Sequence, residues 1–367
     1  MSREGIDMDR RRQAPGSPRT GLRSWGDEPE SLATGLSRRV GPIPVYRSLA
    51  EVPAAFGPCV AAIGNFDGVH RGHQQILAAA AAEARERGLR SIAITFDPHP
   101  AQVLRPQDAP RLLTFLSERL KLITMTGVDA VLVLHFDAAL SSVEAGDFVR
   151  DVLVGALRVR GIHEGANFRF GHGAKAGVNE LCAFGNEFGF AVQVHTAVRV
   201  HGMEVSSSTV RGLIAAGDVR RARWMLGRIF GVHSTPAKGR GVGTKLLVPT
   251  VNLASYDGLL PGFGVYVTRL TIGSGEGERC FESVTNVGNR PTFEGVGFGV
   301  ETHILDFEQV ELTDDTPLYL EFLLRLRGEM KWPSTEALKA QIFKDAAKAN
   351  RYFRLEHTRG SETSLKD

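Results

Sequence analysis

The chain has 367 residues, 43% of them hydrophobic and 23% charged, with a formal net charge of +3. That length accommodates two domains, and the balance is that of an ordinary soluble globular protein. No apolar run approaches the roughly 20 residues a membrane-spanning helix requires, and so mild a charge does not by itself argue for nucleic acid. Cys59, Cys182 and Cys280 are scattered and form no C-x-x-C pair, so neither a disulfide framework nor a zinc site is indicated and a reducing cytoplasm is the simplest compartment.

Residues 1–41 are arginine-rich, poor in aliphatics and interrupted by Pro15, Gly16, Pro18 and Gly21, which reads as a solvated, disordered tail without the apolar stretch of a signal peptide. The competing reading is that Arg10-Arg11-Arg12 touches RNA or a membrane surface, but the aromatic residues that interleave with basic ones in such segments are missing. The apolar run Cys59–Ile63 then predicts a strand. The alanine-rich segment from Gln74 to Arg87, with Ile76, Leu77, Ala80, Ala81 and Ala84 near helical spacing and Gly88 after it, predicts a helix. Between them lies Gly64-Asn65-Phe66-Asp67-Gly68-Val69-His70-Arg71-Gly72-His73. A strand-to-helix turn gathers N–H groups that attract anions, and His70 and His73, three residues apart, share one helix face. Two imidazoles beside a helix N-terminus suit a triphosphate; a bare H-x-x-H pair reads equally as polar surface or as metal ligands.

Strand-like and helical stretches alternate onward to about Val198, with strands expected at Ser91–Phe96, Val128–Phe136 and Ala191–His195 and a helix around Phe148–Leu153. This order predicts a doubly wound, largely parallel sheet with its ligands beyond the strand carboxyl ends. Three stretches then fall together: Gly64–His73, Asp97-Pro98-His99-Pro100 and Gly165–Gly171. The two prolines of the second should stop both sheet and helix. In the third, Phe168 and Phe170 share a face if extended, as core or as an aromatic wall. Ser206-Ser207-Ser208-Thr209-Val210-Arg211 precedes a short helix, with one serine as N-cap and Arg211 one turn in, able to reach a phosphate. From Ile229 the pattern changes to short β-type runs broken by glycine and proline: Gly264–Leu270, Cys280–Asn286, Val300–Leu305 and Leu318–Leu326. These predict an antiparallel barrel or sandwich, closed by a terminal helix over Ser334–Phe353 and a frayed end from about Thr358.

The first motif resembles the G-x-F-D-G-V-H-x-G-H signature of the nucleotidyltransferases that make FAD, and the resemblance spreads over about residues 42–355. Asp97-Pro98-His99-Pro100 is similar to F-x-P-H-P, Gly165-Ala166-Asn167-Phe168-Arg169-Phe170-Gly171 to G-x-[DN]-F-x-F-G, and Ser206–Arg211 to S-S-[ST]-x-[IV]-R. In the rear half Pro249-Thr250-Val251-Asn252 resembles the flavokinase P-T-A-N. Asn286–Phe293 resembles N-[IV]-G-x-[RN]-P-T-F, and Val300–Phe307 resembles V-E-x-H-[IL]-L-[DN]-F. The chain thus resembles the bacterial bifunctional riboflavin kinase/FMN adenylyltransferases. That implies a Rossmann-like parallel-sheet nucleotidyltransferase domain over 42–226, an antiparallel β-barrel flavokinase domain with a C-terminal helix over 227–356, and a frayed remainder over 357–367.

The resemblance implies phosphorylation of riboflavin to FMN and adenylylation of FMN to FAD, with ATP as substrate and Mg²⁺ as its companion. It assigns His70, His73 and Arg211 to adenylyl transfer, with Gly64, Asn65, Phe66, Asp67, Gly68, Ser207 and Ser208 at the ATP phosphates. Asp97, Pro98, His99, Asn167 and Phe168 would line the FMN and adenine cleft; Asn167 stands where many relatives carry Asp. In the kinase half Glu301 would be the general base, with Asn286 and Arg290 at the flavin. Thr250 and Asn252 would hold Mg²⁺ and phosphate oxygens, and Gly239, Gly241 and Gly243 would form a phosphate cradle. That loop departs from the usual G-R-x-L-G-F: Thr244, Leu247 and Val248 replace arginine, glycine and phenylalanine, leaving Arg240 or Lys245 to supply the charge. The departure keeps a second reading in view, an FMN adenylyltransferase whose barrel only binds flavin. Partners are small molecules, neither membrane nor nucleic acid is expected, and oligomeric state is left open.

Overall fold

The structure is a computed structural model that describes residues 43–237, 250–292, 295–306 and 312–363, without the side chains of 276, 289–298 and 359–363. The tail expected over 1–41 and the glycines at 239, 241 and 243 lie outside the described residues, and so does the side chain of Arg290.

The front half is one six-stranded parallel sheet in the order β1-β4-β3-β2-β5-β8. Its strands are β1 (Val45–Tyr46), β2 (Cys59–Ile63), β3 (Arg90–Asp97), β4 (Ala130–His135), β5 (Val159–Gly165) and β8 (Ala191–His195). Strand order reverses at β2, where β3 lies on one side and β5 on the other, so the loop after β2 opens at the switch point that favours ligands. Helix α1 (Arg71–Glu86) covers one face; its alanines let it lie close, and Leu77, Ala80, Ala81 and Ala84 are buried against Val60, Ala62 and Ala93. Helices α2 (Pro100–Leu104) and α3 (Leu116–Thr124) follow β3. The opposite face packs on α4 (Ala138–Ser141), α5 (Ala145–Asp147), a π-helical segment over Phe148–Ala156, and α6 (Val178–Phe188). Small hairpins β6 (Arg169–Phe170) with β7 (Ala176–Gly177) and β9 (Arg199–Val200) with β10 (Met203–Glu204) flank the sheet. One expectation fails here: Pro100 does not stop a helix but begins α2, because a proline in the first turn loses no hydrogen bond.

The rear half is a six-stranded antiparallel sheet in the order β11-β16-β13-β14-β15-β12. The strands are β11 (Phe230–Ser234), β12 (Thr250–Asn252), β13 (Gly264–Ile272), β14 (Arg279–Thr292), β15 (Gly295–Ile304) and β16 (Leu318–Arg327). A bridge between Pro236 and Leu253 brings its two edges together, with Ala237 N–H donating to Asn252 C=O and Ala254 N–H to Thr235 C=O, both 2.8 Å. The barrel wall alternates cleanly. Tyr266, Leu270, Val287, Val300 and Ile304 point inward, whereas Val265, Val267, Val284 and Leu305 point out to helix α9 (Thr335–Thr363) and its Ala349 and Phe353. The helix runs past the frayed end expected from about Thr358, because Glu356 pairs with Arg269 and His357 lies 3.0 Å from Glu282 on the barrel.

Helices α7 (Ser207–Ala215) and α8 (Val219–Leu226) belong to both halves. Their Val210, Ile214, Val219, Ala222, Met225 and Leu226 enter the same apolar core as the barrel's Phe230, Tyr266 and Phe322. Where α9 meets the barrel, Phe353 is 1% exposed. Phe353→Ala should cost about 3–4 kcal/mol by leaving a cavity under the helix; equilibrium denaturation with urea measures it, and a loss under about 1 kcal/mol would mean α9 contributes little to the barrel.

Candidate active sites

The first site is built on the loop between β2 and α1. His70 is the N-cap of α1: its Nδ1 accepts from the His73 N–H at 3.3 Å, and its ring stacks on that of His73 with centroids 3.6 Å apart. The acceptor role at Nδ1 leaves the proton of the neutral imidazole on Nε2. Phe66 meets His73 edge-on at 5.3 Å, and His73 Nδ1 is buried with no hydrogen-bond partner among the described residues. Burial pushes the His70 imidazole down to about 4, and His73 falls well below its usual range through burial, helped by His70 and Arg211. Both rings are therefore neutral near pH 7.

Three successive anchors shape this loop. Asp67, 1% exposed, turns inward, and its carboxylate accepts from Leu113 N–H at 3.0 and 3.1 Å, Thr114 N–H at 3.0 Å and Thr114 Oγ1 at 3.3 Å. The same carboxylate receives the Arg211 guanidinium at 2.5 Å, while Arg211 Nε donates to Arg111 C=O at 3.1 Å. Gly68 N–H donates to Thr114 Oγ1 at 3.0 Å. Gly68 has φ +81° and a Cβ there would stand 2.7 Å from Leu113 Cδ1, so only glycine fits. Phe66 and Val69 also have positive φ, 48° and 36°, a strain the surrounding bonds hold in place.

The structure thus brings His70, His73 and Arg211 around one loop, with Gly64 and Asn65 at its rim. Phe66 and Asp67 face the interior, so in this loop they shape the backbone rather than face a ligand. Ser206 takes the N-cap of α7, and Ser207 Oγ donates to Asp67 C=O at 2.9 Å, while Ser208 is exposed at the helix start. His99 caps α2 through Nδ1 and is lowered chiefly by burial, with Asp67, Arg211 and Arg119 close enough to act on it electrostatically. Asp97 and Pro98 precede it, and Arg119, only 2% exposed, ties that turn to the first by donating to Asn65 C=O at 3.0 Å and Phe96 C=O at 2.9 Å. Beyond β5, Phe168 and Phe170 stack with centroids 5.3 Å apart, and Asn167 is exposed beside Gly165.

The second site is a row across three barrel strands. Asn252 on β12 and Asn286 on β14 are each paired in register with Glu301 on β15, and Thr250 is paired with His303 two residues along. Period-two alternation puts Thr250, Asn252, Asn286, Glu301 and His303 on the outer face. The intervening Thr285 and Thr302 turn inward, where their hydroxyls meet at 3.0 Å. Glu301 and Asn252 are half-buried and Thr250 is exposed. Thr250 and Asn252 offer two neutral oxygens on one face. Such a pair fits a magnesium ion that arrives with a nucleotide and keeps several waters, not a resident ion in a carboxylate cage. Among the described residues no cluster of three His, Cys, Asp or Glu could hold a metal.

Several site-forming residues escape a reading of the sequence: Leu113, Thr114, Arg119 and Arg228. Arg119 lies in an amphipathic stretch, Leu116–Thr124, that reads as helix surface, and the others lie in segments with no motif. Distance in the chain hides them, since Asp67 reaches 46 residues to Leu113 and 144 to Arg211.

Residues 52–209 match the FAD synthetase family and residues 226–353 the riboflavin kinase family. A bifunctional riboflavin kinase/FMN adenylyltransferase of Pseudomonas fluorescens is 37% identical over 83% of this chain and 96% of its own. The protein of that name from Escherichia coli K12 is 34% identical over 81% of this chain and 93% of its own. A solved structure from Streptococcus pneumoniae, described as a macrolide-efflux protein, superposes with a TM-score of 0.74 at 25% identity and covers 83% of this chain and 98% of its own. The efflux description stays with that protein; among the described residues no helix here is long and apolar enough to cross a membrane. With both domain matches falling, in order, on the parallel sheet and on the barrel, the chain belongs to the family of bifunctional riboflavin kinase/FMN adenylyltransferases.

Proposed function

We propose that this enzyme phosphorylates riboflavin to FMN at the barrel row and adenylylates FMN to FAD at the histidine loop. The observation that carries the reading is the convergence of His70, His73 and Arg211 on the strand-to-helix turn at the sheet's switch point. In adenylyl transfer an FMN phosphate oxygen attacks the α-phosphorus of ATP, and the bond to the β-phosphate oxygen breaks to release pyrophosphate. The nucleophile is already an anion, so the task is to position two repelling phosphates and spread the developing charge. The α1 N-terminus and the His70 Nε2–H are donors for that charge, and Arg211, aimed by Asp67, adds a cation. Phe168 and Phe170 offer an apolar wall for an isoalloxazine ring, with Asn167 and His99 as polar groups at the rim.

In the kinase step Glu301 accepts the proton of the ribityl hydroxyl as its oxygen attacks the γ-phosphorus of ATP, and ADP leaves. Thr250 and Asn252 would hold the magnesium ion, which draws charge from the phosphate oxygens when it is bound. Asn286, in register with Glu301, would orient the flavin together with Arg290, and Gly239, Gly241 and Gly243 would form the phosphate cradle. Three free thiols, one of them exposed at Cys280, accord with a cytoplasmic site of action.

Chromatography of products from riboflavin and from FMN, each with Mg-ATP, tests the whole scheme. FMN followed by FAD is expected; FAD from FMN with no FMN from riboflavin would reduce the barrel to a binding module. His73→Ala should abolish FAD formation and leave riboflavin phosphorylation intact, and Glu301→Ala should do the reverse; joint loss of both activities in a folded variant would contradict separate sites.

The neutral histidines add a pH dependence. Below about pH 6.5 the unfolded chain binds a proton at position 70 that the folded chain refuses until near pH 4, so stability present at pH 7 is lost across that window. The loss at this one residue is about 3 kcal/mol. His70→Asn keeps an N-capping side chain without the titration, and denaturation at pH 7 and pH 4.5 should show a smaller acid loss in it; an equal loss in both proteins would remove His70 as the cause.

A further inference from the structure

The segment that joins the two domains lies over the histidine loop. At the end of α8, Trp224 C=O accepts from Arg71 Nε at 2.9 Å, and Leu226 C=O accepts from Gln74 Nε2 at 2.8 Å. The same Gln74 amide donates to Val69 C=O at 2.7 Å. Two residues further, Arg228 NH1 donates to Gly68 C=O at 2.8 Å. Two backbone carbonyls, at 224 and 226, and the Arg228 side chain are thus strapped to the loop that carries His70 and to the first turn of α1. Arg228 lies two residues before Phe230, where β11, the first strand of the barrel, begins. Around it stand groups from both halves: Glu118 on α3, Tyr319 on β16 and Asp67 below. Phe115 of the front half meets Tyr256 of the rear half edge-on at 5.3 Å, so the two halves pack on one another at the junction.

We propose that Arg228 is a positioning residue for adenylyl transfer: from the kinase barrel's threshold it holds the Gly68 carbonyl and thereby the strained turn that presents His70. The proposal rests on the reading of Gly64–His73 as the adenylylation site. The turn contains three residues of positive φ, Phe66, Gly68 and Val69, and such backbone persists only where its surroundings over-determine it. Gly68 is clamped at both ends of its peptide units, by Thr114 at the N–H and by Arg228 at the carbonyl. Asp67 and Thr114 come from the front half alone. Arg228 is a clamp that the rear half's leading edge supplies, and it makes the geometry of the adenylylation site depend on a docked barrel.

The test measures both activities in the full chain for Arg228→Lys, Arg228→Met and Arg228→Met with Glu118→Gln, with His73→Ala as reference. The double variant removes the carboxylate that Arg228→Met would strand. Arg228→Met is expected to lower kcat/KM for FMN adenylylation about tenfold or more, with riboflavin phosphorylation within about twofold of the parent. Arg228→Lys, which keeps a donor, should recover part of the loss, and the double variant should not. Hydrogen exchange of the Gly68–His73 amides should quicken in Arg228→Met. Full recovery in the double variant would overturn the proposal, because a stranded charge would then explain the defect. Unchanged adenylylation in Arg228→Met would overturn it too, and so would an equal fall of both activities in the lysine variant. If His73→Ala itself retains adenylylation, the site reading fails rather than the role of Arg228 within it.

Discussion

A carboxylate almost wholly withdrawn from water, that of Asp67, is the hub on which the first site depends. Burying a charge is tolerable only when its lone pairs are filled, and here two backbone amides, a threonine hydroxyl and a guanidinium fill them. One side chain thereby joins the β2–α1 turn, the 111–114 segment and helix α7. It also sets Arg211, because a guanidinium held at 2.5 Å by a fixed partner has little freedom left to lose. Asp67 thus aims the Arg211 cation and shapes the backbone of the loop from inside the fold.

In the proposed scheme the two sites meet one electrostatic problem with different secondary structure. At the histidine loop of the proposed scheme, the donors would be a helix terminus and imidazoles that burial keeps neutral, which carry no permanent charge. At the barrel, side chains from three strands align because antiparallel register puts Asn252, Glu301 and Asn286 directly opposite one another. The first arrangement needs a strained turn and many long-range clamps. The second needs only correct strand pairing, and its inward neighbours Thr268, Ser283, Thr285 and Thr302 satisfy one another's hydroxyls in the barrel interior.

The halves are not beads on a string. The apolar core of the barrel continues through α7 and α8 up to Leu113, beside the Asp67 hub. A boundary at residue 226 therefore cuts a continuous core, whatever its convenience as a division of motifs. Arg325 reinforces the seam by donating to Ala216 C=O at 3.1 Å, and Leu259 N–H donates to Leu112 C=O at 2.9 Å. Mechanical continuity of this kind is what lets a residue at the barrel's edge bear on the front site.

Local pattern was enough for the sequence to settle the parallel sheet, an antiparallel β rear half (its barrel form following only from the family resemblance), the α1 helix and the shared face of His70 and His73. These follow from periodicity, glycine punctuation and helix-terminus chemistry, all of which act within a few residues. The tertiary structure alone decided that Asp67 turns inward, that Ser206 rather than Ser207 caps α7, that Pro100 opens a helix, and that Arg119 and Arg228 brace the loop. Each of those outcomes depends on which distant segment fills a lone pair or covers a carbonyl. Such partners are chosen by packing between elements tens to more than a hundred residues apart, and no spacing within a motif encodes them.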